Sequence, residues 1–383
     1  MKSGNSFIAL GGAQSVGASS YFVKIDNRSF LFDCGRGISD GITLGPNMGV
    51  LLQEECINSL SQLDQIFISH GHFDHVGYLP DLLAMNAISS VIASPTTKEL
   101  GKYLMSDGSE KQLQGLSDDK RQIYNQRLQG AFAKVQTIPL NITQQFEDYQ
   151  VTLFEAGHIP GAVMTFVETS TKKILYTGDF LTNPTLLTKG YCLPKGVKPD
   201  LLVLCGLHAM HPQYQPVRIE NISVSYMSIC LQKKQSVFLS IKQLTKGLEV
   251  IQLLNMRMEK GLIPEARIYV DSVLWRIADS FSIVGQSVLT QRCHRIQEKN
   301  IDKNLGIYIG TGKMEEYFAH VIKFDFSLHA SYSDIVKLIK DTIPSQVMVV
   351  HTGSPRNDDN SALISEFCDI EIKFCKSENR YSI

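Results

Sequence analysis

The run Ser69-His70-Gly71-His72-Phe73-Asp74-His75 places three imidazoles and a carboxylate within six consecutive positions. Such a density of ligating groups is costly to assemble without a cation to bind and neutralise it. A tight turn at a strand end can aim His70 and His72 at one metal ion, and Asp74 and His75 at a neighbour. Imidazole and carboxylate donors suit zinc or a divalent ion of similar preference.

The flanking sequence supplies the elements that would hold this turn. Ile66–Ser69 is a short apolar run that reads as a strand, and Pro80–Asn86 carries apolar residues at helical spacing. Strands are expected at Phe7–Leu10, Tyr21–Ile25 and Phe30–Phe32, with Asp26-Asn27 turning between the last two. Further strands follow at Val91–Ser94, Val151–Glu155, Val163–Glu168, Ile174–Tyr176 and Leu201–Leu204. Residues 36–49 contain four glycines and a proline, which predicts a loop. A helix is expected over Asp118–Lys134. Beyond residue 205, helical periodicity dominates at Val217–Gln232, Thr245–Lys260 and Val273–Phe281. Ser236–Ser240 and Arg267–Val270 read as strands between them, which predicts a small parallel-sheet unit.

The chain has 383 residues, 43% hydrophobic and 20% charged, enough to bury a core without metal or disulfide support. The net charge of −1 advertises no polyanion partner at the whole-molecule level. Eight dispersed cysteines without a CxxC pair read as reduced thiols. The first residues lack a signal-peptide pattern, and no segment approaches the roughly 20 apolar residues of a membrane span. The expectation is a cytoplasmic protein with no membrane association.

Other motifs recur in a telling order. Asp33 lies in Phe32-Asp33-Cys34-Gly35, His158 in Ala156-Gly157-His158, and Asp179 in Tyr176-Thr177-Gly178-Asp179-Phe180. Together with the His-rich turn, this order resembles the metallo-β-lactamase superfamily. The resemblance implies an α/β fold, a four-layer αββα metallo-β-lactamase sandwich. It implies two divalent metal ions, zinc by expectation. His70, His72 and His158 would hold one, and Asp74, His75 and a distal His the other. Asp179 would touch both, while Asp33 would orient the metal loop from behind.

Two later elements narrow the branch. Ser327-Leu328-His329-Ala330 precedes a helix start at Ser331–Asp334, and Gln346–Val350 runs into His351-Thr352-Gly353. These resemble the S-x-H-A and V-H-G elements of the β-CASP nucleases, the group of RNase J and the messenger-RNA 3′-end-processing endonucleases. Gly11–Gly17 is also similar to a glycine-rich segment of that group. The resemblance makes His351 the distal metal ligand. His329 would face the scissile phosphate, so that His329 and Asp74 are the expected catalytic side chains. In one respect the chain departs from the pattern: Cys205 stands where an acidic residue is expected after Pro199-Asp200, near His208 and His211.

The implied organisation is a first metallo-β-lactamase part at 1–205, an inserted small α/β, β-CASP-like domain at 206–320, and a closing part at 321–383. The implied function is a metal-dependent ribonuclease acting on single-stranded RNA, with DNA a less favoured substrate. Lys242, Lys246, Arg257 and Lys260 are candidates for a nucleic-acid groove in the insert. The competing functions are a small-molecule metallo-hydrolase acting on a lactone, thioester or phosphodiester, and a weakly catalytic subunit of an RNA-processing or defence assembly. Sequence leaves a homodimer open.

Overall fold

Asp26 adopts a left-handed backbone (φ 55°) at the two-residue connection between strands Ser20–Ile25 and Arg28–Phe32. That is the twist a tight antiparallel hairpin needs. The hairpin is part of a seven-stranded sheet in a computed structural model that describes residues 4–54, 56–85, 90–105, 113, 117–241, 243–297, 304–353 and 361–383. Lys242 and Asn86 lie outside the described residues.

In this sheet the strands run in the order Arg380–Ser382, Ser6–Gly11, Ser20–Ile25, Arg28–Phe32, Gln65–Phe67, Ser90–Ala93, Val135–Thr137. A second sheet of seven runs Glu371–Phe374, Gln346–Val350, Leu201–Cys205, Lys173–Tyr176, Val163–Glu168, Gln150–Glu155, Gln144–Gln145. Alternation along each strand sorts the two faces. Phe7 and Ala9 join Val151, Leu153, Val203 and Met348 in a core between the sheets. Ile8 and Leu10 point the other way, into a core shared with Leu79, Leu82, Leu128 and Phe132 of the covering helices. This is the αββα sandwich expected from the sequence.

The chain divides into two compact units, 1–183 with 189–215 and 329–383, and 184–188 with 216–328. The second has an all-parallel sheet in the order Cys293–Arg295, Ile268–Val270, Ile307–Gly310, Val237–Ser240, Val321–Lys323. Helices Leu244–Glu259 and Ser272–Ser280 connect its strands, and the second starts on Asp271, which accepts from the Val273 and Leu274 amides. Glu249, almost wholly buried, accepts from Thr185 Oγ1 at 2.6 Å and the Leu186 amide at 2.9 Å, which fastens residues 184–188 to this unit. The sequence reading set the insert at 206–320. The observed unit starts at Pro216 because Gly206 still hydrogen-bonds Val350 of the first unit, and it extends to Leu328 because Val321–Lys323 completes the parallel sheet.

Two local expectations are corrected. Residues 36–49 are not all loop: Gly37–Ser39 and Ile42–Leu44 form a hairpin turning at Asp40-Gly41, both with positive φ. An Asp-Gly pair is a strong hairpin signal, outweighed in the reading by the glycine content. The helix expected over Val217–Gln232 is confined to Ser225–Gln232, preceded by a short turn at Ile219–Asn221. Asn, Ser and β-branched residues at 221–224 disfavour a longer helix. All eight cysteines are free. No helix among the described residues is long and apolar enough to cross a membrane.

Candidate metal centre

Strand Gln65–Phe67 ends just before Ser69, and helix Phe73–Val76 starts just after His72. The ligand-rich turn is therefore stretched between two regular elements. Its register is set from the segment after strand Arg28–Phe32. Cys34 N donates to His75 O, Arg36 N to Phe73 O and Ser19 N to Asp74 O. The approach is so close that a Cβ at Gly35 would collide with the Asp74 carbonyl. Gly178 has φ 53°, and a Cβ there would stand 2.6 Å from Ser69 Cβ. Glycine at this position lets the Asp179 loop lie against the metal loop.

Asp33 is fully buried with a left-handed backbone (φ 61°). Its Oδ1 accepts from Ser69 N at 2.7 Å. Its Oδ2 accepts from Ser69 Oγ at 2.7 Å, His75 Nδ1 at 2.6 Å and Tyr176 OH at 2.5 Å. Because Ser69 Oγ donates to the carboxylate, it accepts from His70 Nδ1, 3.0 Å away. Ser19 Oγ lies 3.0 Å from His351 Nδ1. Each of these imidazoles is thus tied at Nδ1, leaving Nε2 for the centre.

At the centre is Asp179, 3% exposed. Its Oδ2 lies 3.4 Å from His75 Nε2, 3.6 Å from His329 Nδ1, 3.8 Å from His158 Nε2 and 4.0 Å from His70 Nε2. Its Oδ1 lies 3.9 Å from His351 Nε2, and Asp74 Oδ2 is 3.8 Å from His75 Nε2. His72 Nδ1 stands 3.1 Å from His70 Nε2 and 3.3 Å from His158 Nε2. All seven expected ligands and His329 therefore converge. Loops deliver the later ones. Leu181 N donates to Ala156 O and Ala330 N to Phe180 O, which joins the His158, Asp179 and His329 loops. A capping box between Ser331 and Asp334 fixes the start of helix Tyr332–Thr342 just after His329. His351 bends away from its strand with φ 56° and donates its amide to Gly12 O.

The donor set fits divalent ions. His75 Nε2, His351 Nε2 and Asp179 Oδ1 are buried and have no hydrogen-bond partner among the described residues. Orphaned polar atoms of this kind are costly unless an ion takes them. The 3.1 and 3.3 Å nitrogen separations match the roughly 3.3 Å between two ligands about 2.0–2.1 Å from a tetrahedral zinc. The groups His70–His72–His158, Asp74–His75–His351 and His70–His75–Asp179 each gather their ligating atoms within 4.8 Å.

Electrostatics divide the histidines. Burial, reinforced by His158, holds His72 down at about 3, and burial likewise depresses His70. Burial opposes the charge on His75 too, but the carboxylates of Asp179, Asp74 and Asp33 outweigh it and raise that imidazole. Burial would raise Asp179, yet His351, His75 and His329 hold it well below the usual carboxylate range. Burial lowers His329 against the opposing pull of Asp179, so its ring is neutral at neutral pH. In that state it offers one N–H as a donor.

The reading missed three supporting residues: Ser19, Ser69 and Tyr176. Ser69 and Tyr176 lay inside the quoted motifs, and Ser19 follows the glycine-rich segment. Cys205 is 5% exposed, with Sγ 3.6 Å from Tyr176 OH. His208 faces Tyr214, ring centroids 4.6 Å apart, and is close enough to depress His329 electrostatically.

A family model described as the metallo-beta-lactamase superfamily matches residues 15–213, and one described as a Zn-dependent metallo-hydrolase RNA specificity domain matches 318–373. The chain is 33% identical over 218 residues to a probable RNase MJ4 of Methanocaldococcus jannaschii, covering 55% of this chain and 48% of that one. It is 24% identical over 252 residues to endoribonuclease YSH1 of Gibberella zeae (65% and 29% covered). It is 25% identical over 274 residues to transcription termination factor FttA of Methanothermobacter thermautotrophicus (70% and 42% covered). The chain thus spans less than half the length of these relatives. A crystal structure of a protein of unknown function from Enterococcus faecalis superposes with a TM-score of 0.61 at 13% identity, with 100% of both chains covered, a likeness of fold alone.

Proposed function

The chain belongs to the metallo-beta-lactamase superfamily, and from that premise we propose that it is a metal-dependent ribonuclease that cleaves RNA phosphodiester bonds. The observation that carries this reading is the position of His329, 3.6 Å from Asp179 and 18% exposed, beside His70, His75, His158 and His351, each at most 1% exposed. A substrate phosphate reaching the cluster meets this ring. The names of the relatives, a probable RNase and an endoribonuclease, support RNA as the substrate.

On this reading His70, His72 and His158 hold one ion, and Asp74, His75 and His351 hold the other. Asp179 contributes to both. Zinc is the proposed metal, from the imidazole-rich donor set. Two such ions, when bound, supply Lewis acidity for an attacking water and for the phosphate oxygens. The chain's own residues do the rest. Ser19, Ser69 and Asp33 hold His351, His70 and His75 at Nδ1, so that each Nε2 is presented to the cluster. His329 gives its N–H to a phosphate oxygen, which orients the scissile bond. Single-stranded RNA is the proposed substrate, ahead of DNA.

End-labelled single-stranded RNA and DNA incubated with the zinc-loaded protein test this. RNA should be cut, with chelator abolishing the reaction. Inertness on both, with turnover of a lactone or thioester, would replace the nuclease by a small-molecule hydrolase.

A further inference from the structure

We propose that the Tyr176 hydroxyl is a positioning group for His75, and that a thiol rather than a carboxylate at position 205 is what allows it. The inference rests on the two-ion reading above. Tyr176 is fully buried, with its ring tilted against Phe32 at 5.3 Å and edge-on to Tyr21 at 5.7 Å. Among the described residues its oxygen contacts Asp33 Oδ2 at 2.5 Å and Cys205 Sγ at 3.6 Å.

A phenol has one proton to donate. An ionised carboxylate at 2.5 Å takes it in preference to sulfur, a weak acceptor at longer range. The thiol then donates to the phenol oxygen. The chain of donors runs from Cys205 through Tyr176 to Asp33, which also receives His75 Nδ1 at 2.6 Å. Three donors converge on Asp33 Oδ2 and a fourth on Oδ1, and together they fix the rotation of the carboxylate. That rotation sets the plane of the His75 ring, whose Nε2 faces Asp74 and Asp179. A carboxylate at position 205 would be a second strong acceptor competing for the same proton. The cysteine found where an acidic residue was expected is thus the partner that leaves the Tyr176 proton with Asp33.

The test is zinc affinity at both sites, by competition with a chromophoric chelator, for the unsubstituted protein, Tyr176→Phe and Cys205→Asp. Phenylalanine keeps the ring contacts and removes the hydroxyl. Weakening of the Asp74–His75–His351 site by about 10–100-fold is expected, typical of losing a group that orients a ligand, with a smaller loss at the His70–His72–His158 site, which reaches Asp33 through Ser69. Loss of fold alone would not separate the two sites. Cys205→Asp should produce the same selective loss, and serves if Tyr176→Phe does not fold. If either folded variant keeps both affinities within about twofold, the proposal is overturned while the two-ion reading stands. If the unsubstituted protein binds no zinc, the two-ion reading falls and the proposal with it.

Discussion

Ser19 Oγ and His351 Nδ1 stand 3.0 Å apart across 332 positions of sequence. One immediately precedes strand Ser20–Ile25, the other follows strand Gln346–Val350. The contact ties the His351 ring so that Nε2 faces Asp179.

Ser19→Ala should therefore weaken the site formed by Asp74, His75 and His351. A loss of about 10–100-fold in zinc affinity at that site is expected, with the His70–His72–His158 site retained. His351→Ala should remove the site altogether. Chelator competition measures both. Unchanged affinity in His351→Ala would take this residue out of the ligand set.

His329→Ala should keep two ions and lose turnover. Removing one positioned hydrogen-bond donor of this type costs about 10²–10³-fold in rate. Burial keeps the ring neutral near pH 7. Turnover should therefore not fall as pH rises through about 6.5, where an ordinary histidine loses its charge. Single-turnover rates from pH 5.5 to 8.5 test this, and a descending limb that vanishes in His329→Ala would show that the ring acts in its charged form.

The metal-free protein should lose stability in acid. His72 titrates at about 3 in the fold, while an unfolded histidine titrates at about 6.5. Between these values the unfolded chain binds a proton that the folded chain does not. Stability from His72 is therefore present above about 6.5 and is lost as pH falls towards 3, at up to about 1.4 kcal/mol per pH unit. His70 and His329 act in the same direction, and Asp179, also depressed, adds to the loss at lower pH. His75, raised by its carboxylates, acts oppositely, losing its contribution as pH rises. Below about 6.5 His75 carries its proton in both states and adds no slope, so denaturant melts of chelated protein should show falling stability as pH drops from 7 to 5. A flat profile would contradict this.

The site was legible in the sequence because its ligands sit at strand ends in short, recognisable motifs, and the sandwich because strand alternation sorts two faces. What was not legible depended on contacts between distant segments. Nothing local marks Ser19 as the partner of His351, or Tyr176 as the partner of Asp33. The neutrality of His329 arises from burial, which motif spacing does not encode. The edges of the inserted unit were set by long-range pairing, Val321–Lys323 with Val237–Ser240 and Gly206 with Val350, invisible to a reading of periodicity.

On the proposed function, Asp179 would contribute to holding both divalent ions. Elemental analysis of the purified, zinc-supplemented protein beside Asp179→Asn tests it most directly. About two zinc ions per chain are expected in the unsubstituted protein, with metal content and RNA cleavage lost together in Asp179→Asn. An unsubstituted protein without bound metal, or an Asp179→Asn variant that keeps both ions and full activity, would contradict the account.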